Sequence, residues 1–301
     1  MTEKRQGGVM VHGGAGAGFA YQDGVDAAAQ AAIAALGAGA DALGAAIAAV
    51  VSMEGDGRLN AGSGANLGLD GATIELDACV MDSQGVLGAV AAVRNVKYPV
   101  RLARAIADSP HWLLCAEGAQ RFADHLGHEK HPGASEQARE RHRKLMQALF
   151  AASPASPLDS NEAFLRDWNF ASPIPPAKRT CDTVGAVVRD EQGHFAVACS
   201  TGGSAPSLLG RIGDTPIIGS GFYAGKAGAV AATGIGEEIV RRMLASMVYR
   251  WIEEGRPLTE ALQEAVAMFP KEVPVGLIAI NADQQYSCSN SPMPVAGTGL
   301  K

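Results

Sequence analysis

The chain has 301 residues, of which 47% are hydrophobic and 19% charged, so it is globular and long enough for one large core or two ordinary domains. A formal net charge of −6 with no basic cluster excludes a nucleic-acid surface, which needs Lys and Arg grouped on one face, and favours a small-molecule partner. Cys79, Cys115, Cys181, Cys199 and Cys288 are odd in number and lack CxxC spacing, so they read as buried free thiols rather than a disulfide framework or a zinc site.

The opening MTEKRQGG is followed by only VMV before the glycines, too short for the apolar region of a signal peptide, and a cytoplasmic protein is expected. Val9 to His12 reads as a short strand running into GGAGAG, where glycines permit tight turns. That loop is no phosphate cradle: Phe19 stands where a GxGxxG from Gly14 requires glycine, and no GK[ST] follows. Two Ala-rich helices follow, about Gly24 to Leu36 and Ala40 to Met53. The apolar run from Ala27 to Val51 does not suit a membrane, because it is broken by Gly37, Gly39 and Gly44 and carries Asp41, whose insertion costs roughly 3 kcal/mol.

Met53 to Gly71 is a glycine-rich loop able to turn many carbonyl oxygens inward, the ligand type that hard cations take; glycines serving turns alone explain it equally well. Thr73 to Asp82 and Val86 to Val93 read as adjacent strands, followed by helices near Val100 to Ala107 and Glu117 to Leu126. A charged helix, Ser135 to Ala151, is expected to present EQARERHRK to solvent, and the proline-rich SPIPPAKRTCD after it reads as an exposed linker or lid.

That tether ends at a hairpin of two buried strands, Thr183 to Arg189 and Phe195 to Ser200. Thr183 opens the first strand and Thr201 closes the second, so two hydroxyls meet at one end. Were the Asp182–Thr183 bond cut, Thr183 would carry both a hydroxyl nucleophile and an α-amine as its base, and no histidine would be needed. The amine's reference pKa of about 8 leaves enough free base near neutrality after modest desolvation. Cys181 has no motif that would make it a catalytic thiol. Downstream come Ile217 to Gly219, helices from Gly236 to Glu254 and from Leu258 to Met268, and strands near Val275 to Asn281 and Tyr286 to Ser289. Gly219, Gly221 and Ala224 fit GxGxxA, but Glu237 begins a helix instead of ending a second strand, so a dinucleotide site is not expected.

Read together, VHGGAGAG, LNAGSGANLGLDGATIELDACVMD, SPHWLLCAEGA, DTVGAV, STGG, GRIGDTP and ATGIGE resemble the threonine-type N-terminal-nucleophile hydrolases of the plant-type asparaginase, isoaspartyl aminopeptidase and glycosylasparaginase family. The resemblance spans nearly the whole chain and weakens only between about His128 and Arg179. It implies an α+β fold, a four-layer αββα sandwich, forming one domain over 1–301. Cleavage would divide that domain into an α-subunit, 1–182, whose linker runs from about 128 to 182, and a β-subunit, 183–301.

The resemblance further implies Thr183 as nucleophile, Thr201 hydrogen-bonded to its hydroxyl, and Thr233 with the Gly234 N–H as oxyanion donors. Arg211 and Asp214 would grip the α-carboxylate and α-ammonium of an aspartyl group, Gly236 would add a backbone donor, and Asn60 would hold the threonine. Carbonyls of Met53, Glu54, Asp56, Leu59, Ala61 and Ser63 would hold a structural sodium ion, with no other cofactor required. L-asparagine and β-aspartyl peptides are the implied substrates and a homo-oligomer of cleaved protomers the implied assembly. Asp182 resembles the glycosylasparaginase branch where the plant-type branch has glycine, whereas STGG resembles the plant type. An uncleaved, non-enzymatic binding protein of the same fold is the alternative from another class.

Overall fold

A computed structural model describes residues 7–151 and 182–298. Its architecture follows from the two-residue period of the strands, which sends alternate side chains to opposite faces. In β5 (Val184–Arg189) the residues Val184, Ala186 and Val188 face one apolar cluster and Val187 another, and in β8 (Gly228–Gly234) Val230 and Ala232 part in the same way from Ala229 and Ala231. Both faces of both strands are therefore covered. A seven-stranded sheet carries β11 (Val295–Thr298), β1 (Gly8–His12), β5, β6 (Phe195–Thr201), β2 (Leu76–Asp82), β3 (Leu87–Val93) and β4 (Leu113–Cys115), in that order. A four-stranded sheet carries β10 (Gln285–Ser289), β9 (Val275–Asn281), β8 and β7 (Phe222–Gly225). All pairings are antiparallel except β3 with β4.

The sheets pack face to face through Val187, Val197, Cys199, Phe222, Ile278 and Ile280. On the outer face of the larger sheet lie α1 (Gln22–Gly37), α2 (Ala42–Asp56) and α3 (Pro99–Ile106); on that of the smaller lie α7 (Leu244–Glu253) and α8 (Leu258–Ala267). This is the αββα sandwich. The alanines of α1 and α2 explain their fit: Ala28, Ala29, Ala32, Ala45, Ala46 and Ala49 are all buried, so the helices approach each other and the sheet with little side chain between. Asp41 caps α2 by accepting from the Gly44 N–H at 2.7 Å, and Gly57, at φ 78°, ends it. The remaining helices are α4 (Ala116–Leu126), α5 (Glu136–Ala151) and α6 (Gly236–Arg242).

Three expectations change. The helix read from Gly236 to Glu254 breaks at Met243, which adopts φ 48°, because carbonyls of Gly219 and Ser220 take the N–H groups of Ser246 and Ala245 at 2.8 and 3.1 Å and start a new helix there. Ile217 to Gly219 is a turn with a single bridge from Ile218 to Phe222, and the strand proper is β7. The charged face of α5 is only partly solvated: the half-buried Arg141 donates through Nε to Asn66 Oδ1 at 3.0 Å, through Nη1 to the Arg58 carbonyl at 3.1 Å, and through Nη2 to the Gly64 carbonyl. Cys181 and most of the expected linker, 152–181, lie outside the described residues.

Candidate active site

Thr183 sits one residue before β5, at the end of the central strands where three other segments converge: the GGAGAG loop after β1, the loop after β6, and the turn from β8 into α6. It is buried, and a narrow cleft in front of it is lined by Asp182, Thr201, Ser204, Arg211, Asp214, Thr215 and Gly234 among others. The Thr183 backbone N–H donates to Thr233 Oγ1 at 3.3 Å, and the Ala15 N–H reaches the same oxygen at 3.2 Å. A hydroxyl has two lone pairs and one proton. With both lone pairs engaged by N–H groups, the Thr233 proton is left to be donated elsewhere.

The hydroxyl of Thr183 has its partner in Thr215, at 3.2 Å between the Oγ1 atoms. This corrects the expectation for Thr201, which lines the cleft but accepts the Gly203 N–H on its own Oγ1 at 3.1 Å. Asn60 also differs. Its Oδ1 accepts the Asn66 N–H at 2.9 Å and its Nδ2 donates to the Gly203 carbonyl at 2.7 Å, so it shapes the loop after β6 rather than touching Thr183. Close approach enforces that contact, because a Cβ on Gly202 would lie 2.6 Å from Asn60 Oδ1.

Arg211 and Asp214 both line the cleft. The Arg211 fork meets Glu237 with Nε–Oε1 at 3.1 Å and Nη2–Oε2 at 2.9 Å. Asp214 is buried, and its Oδ2 has no hydrogen-bond partner among the described residues. Burial pushes its carboxyl up to about 7, opposed by Arg211 and reinforced by Asp77 and Glu237. A buried acceptor of that kind calls for a donor from outside the protein. Gly236 lies against both groups: a Cβ there would stand 2.8 Å from Arg211 Nη2 and 2.9 Å from Asp214 Oδ1. Gly234, at φ 143°, has no room for a side chain either, since a Cβ would strike the Pro274 carbonyl.

Sequence reasoning missed Thr215, Glu237 as the partner of Arg211, and Asp77. The Asp77 carboxylate accepts the Ala92 N–H at 2.8 Å across an irregularity in the β2–β3 pairing; burial pushes it up to about 7, opposed by that bond and by Arg211. Asp182 packs on the GGAGAG loop, where a Cβ on Gly14 would lie 2.8 Å from its Cα. Its carboxyl is also raised to about 7 by burial, with Arg141 opposing. His12 is fully buried and held near 3 by desolvation, so it is neutral and not an acid–base candidate near pH 7.

The carbonyl oxygens of the glycine-rich loop cluster with those at the end of α2. Met53, Glu54 and Asp56 belong to the last turn of α2, whose carbonyls lack intrahelical partners. A Cβ on Gly62 would lie 2.7 Å from the Glu54 carbonyl oxygen, and one on Gly64 would overlap that of Leu59. Leu59 and Ala61 carbonyls each accept one N–H, at 2.8 and 3.1 Å, which leaves each a lone pair. Ser63 is the middle residue of a single 3-10 turn in this cradle. Oxygens gathered at the negative end of a helix around side-chain-free glycines fit a hard monovalent cation. The Asp56 carboxylate is engaged by Arg58, with Oδ2–Nη2 at 2.6 Å.

Among the described residues no helix is long and apolar enough to cross a membrane. The family model for asparaginase matches residues 7–296. Over 96% of this chain and 92% of its own length, the isoaspartyl peptidase/L-asparaginase of Macaca fascicularis is 34% identical to it. The plant-type L-asparaginase of Pyrobaculum calidifontis is 36% identical over 83% of this chain and 80% of that protein. The N(4)-(beta-N-acetylglucosaminyl)-L-asparaginase of Elizabethkingia miricola is 32% identical over 71% of this chain and 60% of that one.

Proposed function

The chain belongs to the asparaginase family, and on that premise we propose that it is a self-processing amidohydrolase that hydrolyses L-asparagine and β-aspartyl peptides with Thr183 as nucleophile. The observation that carries this reading is the pair of contacts on one buried threonine: its N–H on Thr233 Oγ1 and its hydroxyl on Thr215 Oγ1, in a cleft that also presents Arg211 and Asp214.

Two stages follow. In the first, Thr183 Oγ1 attacks the Asp182 carbonyl carbon, the peptide C–N bond breaks as the nitrogen takes the hydroxyl proton, and water hydrolyses the resulting ester. The products are an Asp182 carboxylate and a free Thr183 amine. In the second, that amine takes the proton from its own hydroxyl as Oγ1 attacks the side-chain amide carbonyl of the substrate. The oxyanion accepts from the Thr233 hydroxyl and the Gly234 N–H, donors held before charge develops. The amine then protonates the leaving nitrogen, a β-aspartyl ester remains on Thr183, and water releases aspartate.

Asp214 is the acceptor for the substrate's α-ammonium and Arg211 the fork for its α-carboxylate, with Gly236 against both; Arg suits that role because it bonds a carboxylate bidentately. Thr201 and Asn60 hold the loop that walls the cleft. Carbonyls of Met53, Glu54, Asp56, Leu59, Ala61 and Ser63 would hold a sodium ion at the end of α2, where its charge would stiffen the loop that carries Asn60. The enzyme works in the cytoplasm in this reading, where free thiols such as Cys79 and Cys199 persist, as an oligomer of protomers each cut into 1–182 and 183–301. Asp182 before the nucleophile also favours a second reading, a glycosylasparaginase, which a glycosylated asparagine substrate separates from the first.

Denaturing electrophoresis with amino-terminal sequencing tests the proposal. The protein is expected to split at Asp182–Thr183, the smaller piece reading TVGAV, and Thr183→Ala is expected to stay whole and inactive. An uncut chain with full activity would overturn it, since the amine base would not exist.

A further inference from the structure

The cleft in front of Thr183 shares Ser204 with a second, larger one of about 230 Å³. Release of ammonia from asparagine needs none of that space. The second cleft has an apolar wall of Leu67, Leu69, Leu208 and Leu209, of which Leu208 and Leu209 are 42% and 55% exposed. Its charged lining residues are Asp70 and Glu75, and no Lys, Arg or His lines it among the described residues. Asp70 accepts from the N–H groups of Ala72 and Thr73 at 3.0 and 2.8 Å and from the Thr73 hydroxyl, bonds that hold it ionised. Glu75 accepts the Gly210 N–H at 2.7 Å and pairs with Arg94 at 3.0 Å, so it fixes the base of the Leu208–Leu209 loop while its charge is partly offset.

We propose, resting on the amidohydrolase reading above, that this second cleft receives the leaving half of a β-aspartyl peptide and selects a large apolar residue after the β-aspartyl bond over an acidic one. Leu208 and Leu209 are placed to lose their exposure against such a side chain. An acidic side chain would instead meet Asp70, and the one cationic group that acts on Asp70, His142, stands behind the wall and not on it.

Steady-state kinetics of the cut enzyme on β-aspartyl-leucine, β-aspartyl-glutamate, asparagine and a glycosylated asparagine test this. The leucine compound is expected to exceed the glutamate compound in kcat/KM by about tenfold or more, the scale at which an apolar pocket discriminates. Asp70→Asn, which keeps the turn's acceptor but loses the charge, is expected to narrow that gap by raising the glutamate value. Leu209→Ser is expected to lower the ratio of leucine compound to asparagine several-fold. Equal values for the leucine and glutamate compounds, a ratio unmoved by Leu209→Ser, or a glycosylated asparagine hydrolysed faster than the leucine compound would overturn the inference. No turnover of any of the four would overturn the amidohydrolase reading itself, and this inference with it.

Discussion

Replacing Thr233 by valine preserves the shape of the side chain and removes its oxygen. Two buried N–H groups, of Thr183 and Ala15, then lose an acceptor at 3.3 and 3.2 Å. An unsatisfied buried donor costs about 1–3 kcal/mol, and since both bonds are long the low end applies, so the loss of stability is about 2 kcal/mol in sum. The catalytic loss is larger: one oxyanion donor is worth about 10²–10³ in kcat, or roughly 3–4 kcal/mol. Thr233→Ser keeps donor and acceptors and gives up only the stiffness that β-branching confers at χ1, so it recovers most of the rate. Thermal melting gives the first quantity; kinetics on asparagine, normalised to the fraction of chain cut, give the second. A Thr233→Val protein whose kcat per cut chain stays within about tenfold of wild type, or whose defect lies in KM alone, would refute the assignment of that hydroxyl to the oxyanion.

Burial pushes Glu54 up to about 8 and Asp77 and Asp214 up to about 7. The folded protein therefore keeps protons that these groups have already released in the unfolded chain, and their contribution to stability, full below about pH 4, is lost as pH rises through 7 to 8. His12, lowered to about 3, and His128 and His131, also lowered by burial, act in the opposite sense but only below their ordinary 6.5, whereas the carboxyls, Asp182 among them, act across the whole interval up to 7 or 8. Melting is expected to be higher at pH 5.5 than at 8.5. Glu54→Gln, which keeps an acceptor for the Val100 N–H now at 3.0 Å, is expected to remove on the order of 4 kcal/mol of that slope; an unchanged slope would rule Glu54 out as a source. Exchanging sodium for a large organic cation is expected to lower the melting temperature, because an ion bound only to the folded state at a hundred times its Kd contributes about 2.7 kcal/mol. Equal melting in both salts would leave the loop's glycines to turns alone.

The strands of the central hairpin were legible because Val184–Arg189 and Phe195–Thr201 are dense in valine, alanine and other apolar residues around a polar turn. By contrast β8, GAVAATG, is poor in β-branched side chains, and β7, β4 and β11 are only four, three and four residues long. Such strands gain their stability from neighbours on both sides, which no local pattern announces. The break at Met243 had no sequence signal for the same reason, since the carbonyls that cause it come from residues more than twenty positions away. In the site, Thr183, Arg211 and Asp214 were found through motifs. Thr215, next to Asp214, differs from many threonines only by facing Thr183 across the cleft. Arg141 looked like one charge in a solvated run, and only the docking of α5 on the glycine loop sets it apart.

The order of the larger sheet bears on what the proposed cut between Asp182 and Thr183 would do. Strands β1, β2, β3 and β4 precede residue 183 and β5, β6 and β11 follow it, so the two products alternate within one sheet, with β1 clasped between β11 and β5 and β6 paired to β2. The smaller sheet lies wholly within 183–301, but in the larger one neither piece keeps its strands' neighbours without the other. Cleavage would therefore leave the folded molecule joined by three backbone ladders while changing the kinetic order of its assembly. The uncut chain folds as a first-order event, whereas two separated products must find each other in solution, at a rate that falls with dilution. Under the self-processing reading, maturation would act as a ratchet: entered from the folded side and, once the processed enzyme has been melted, hard to re-enter.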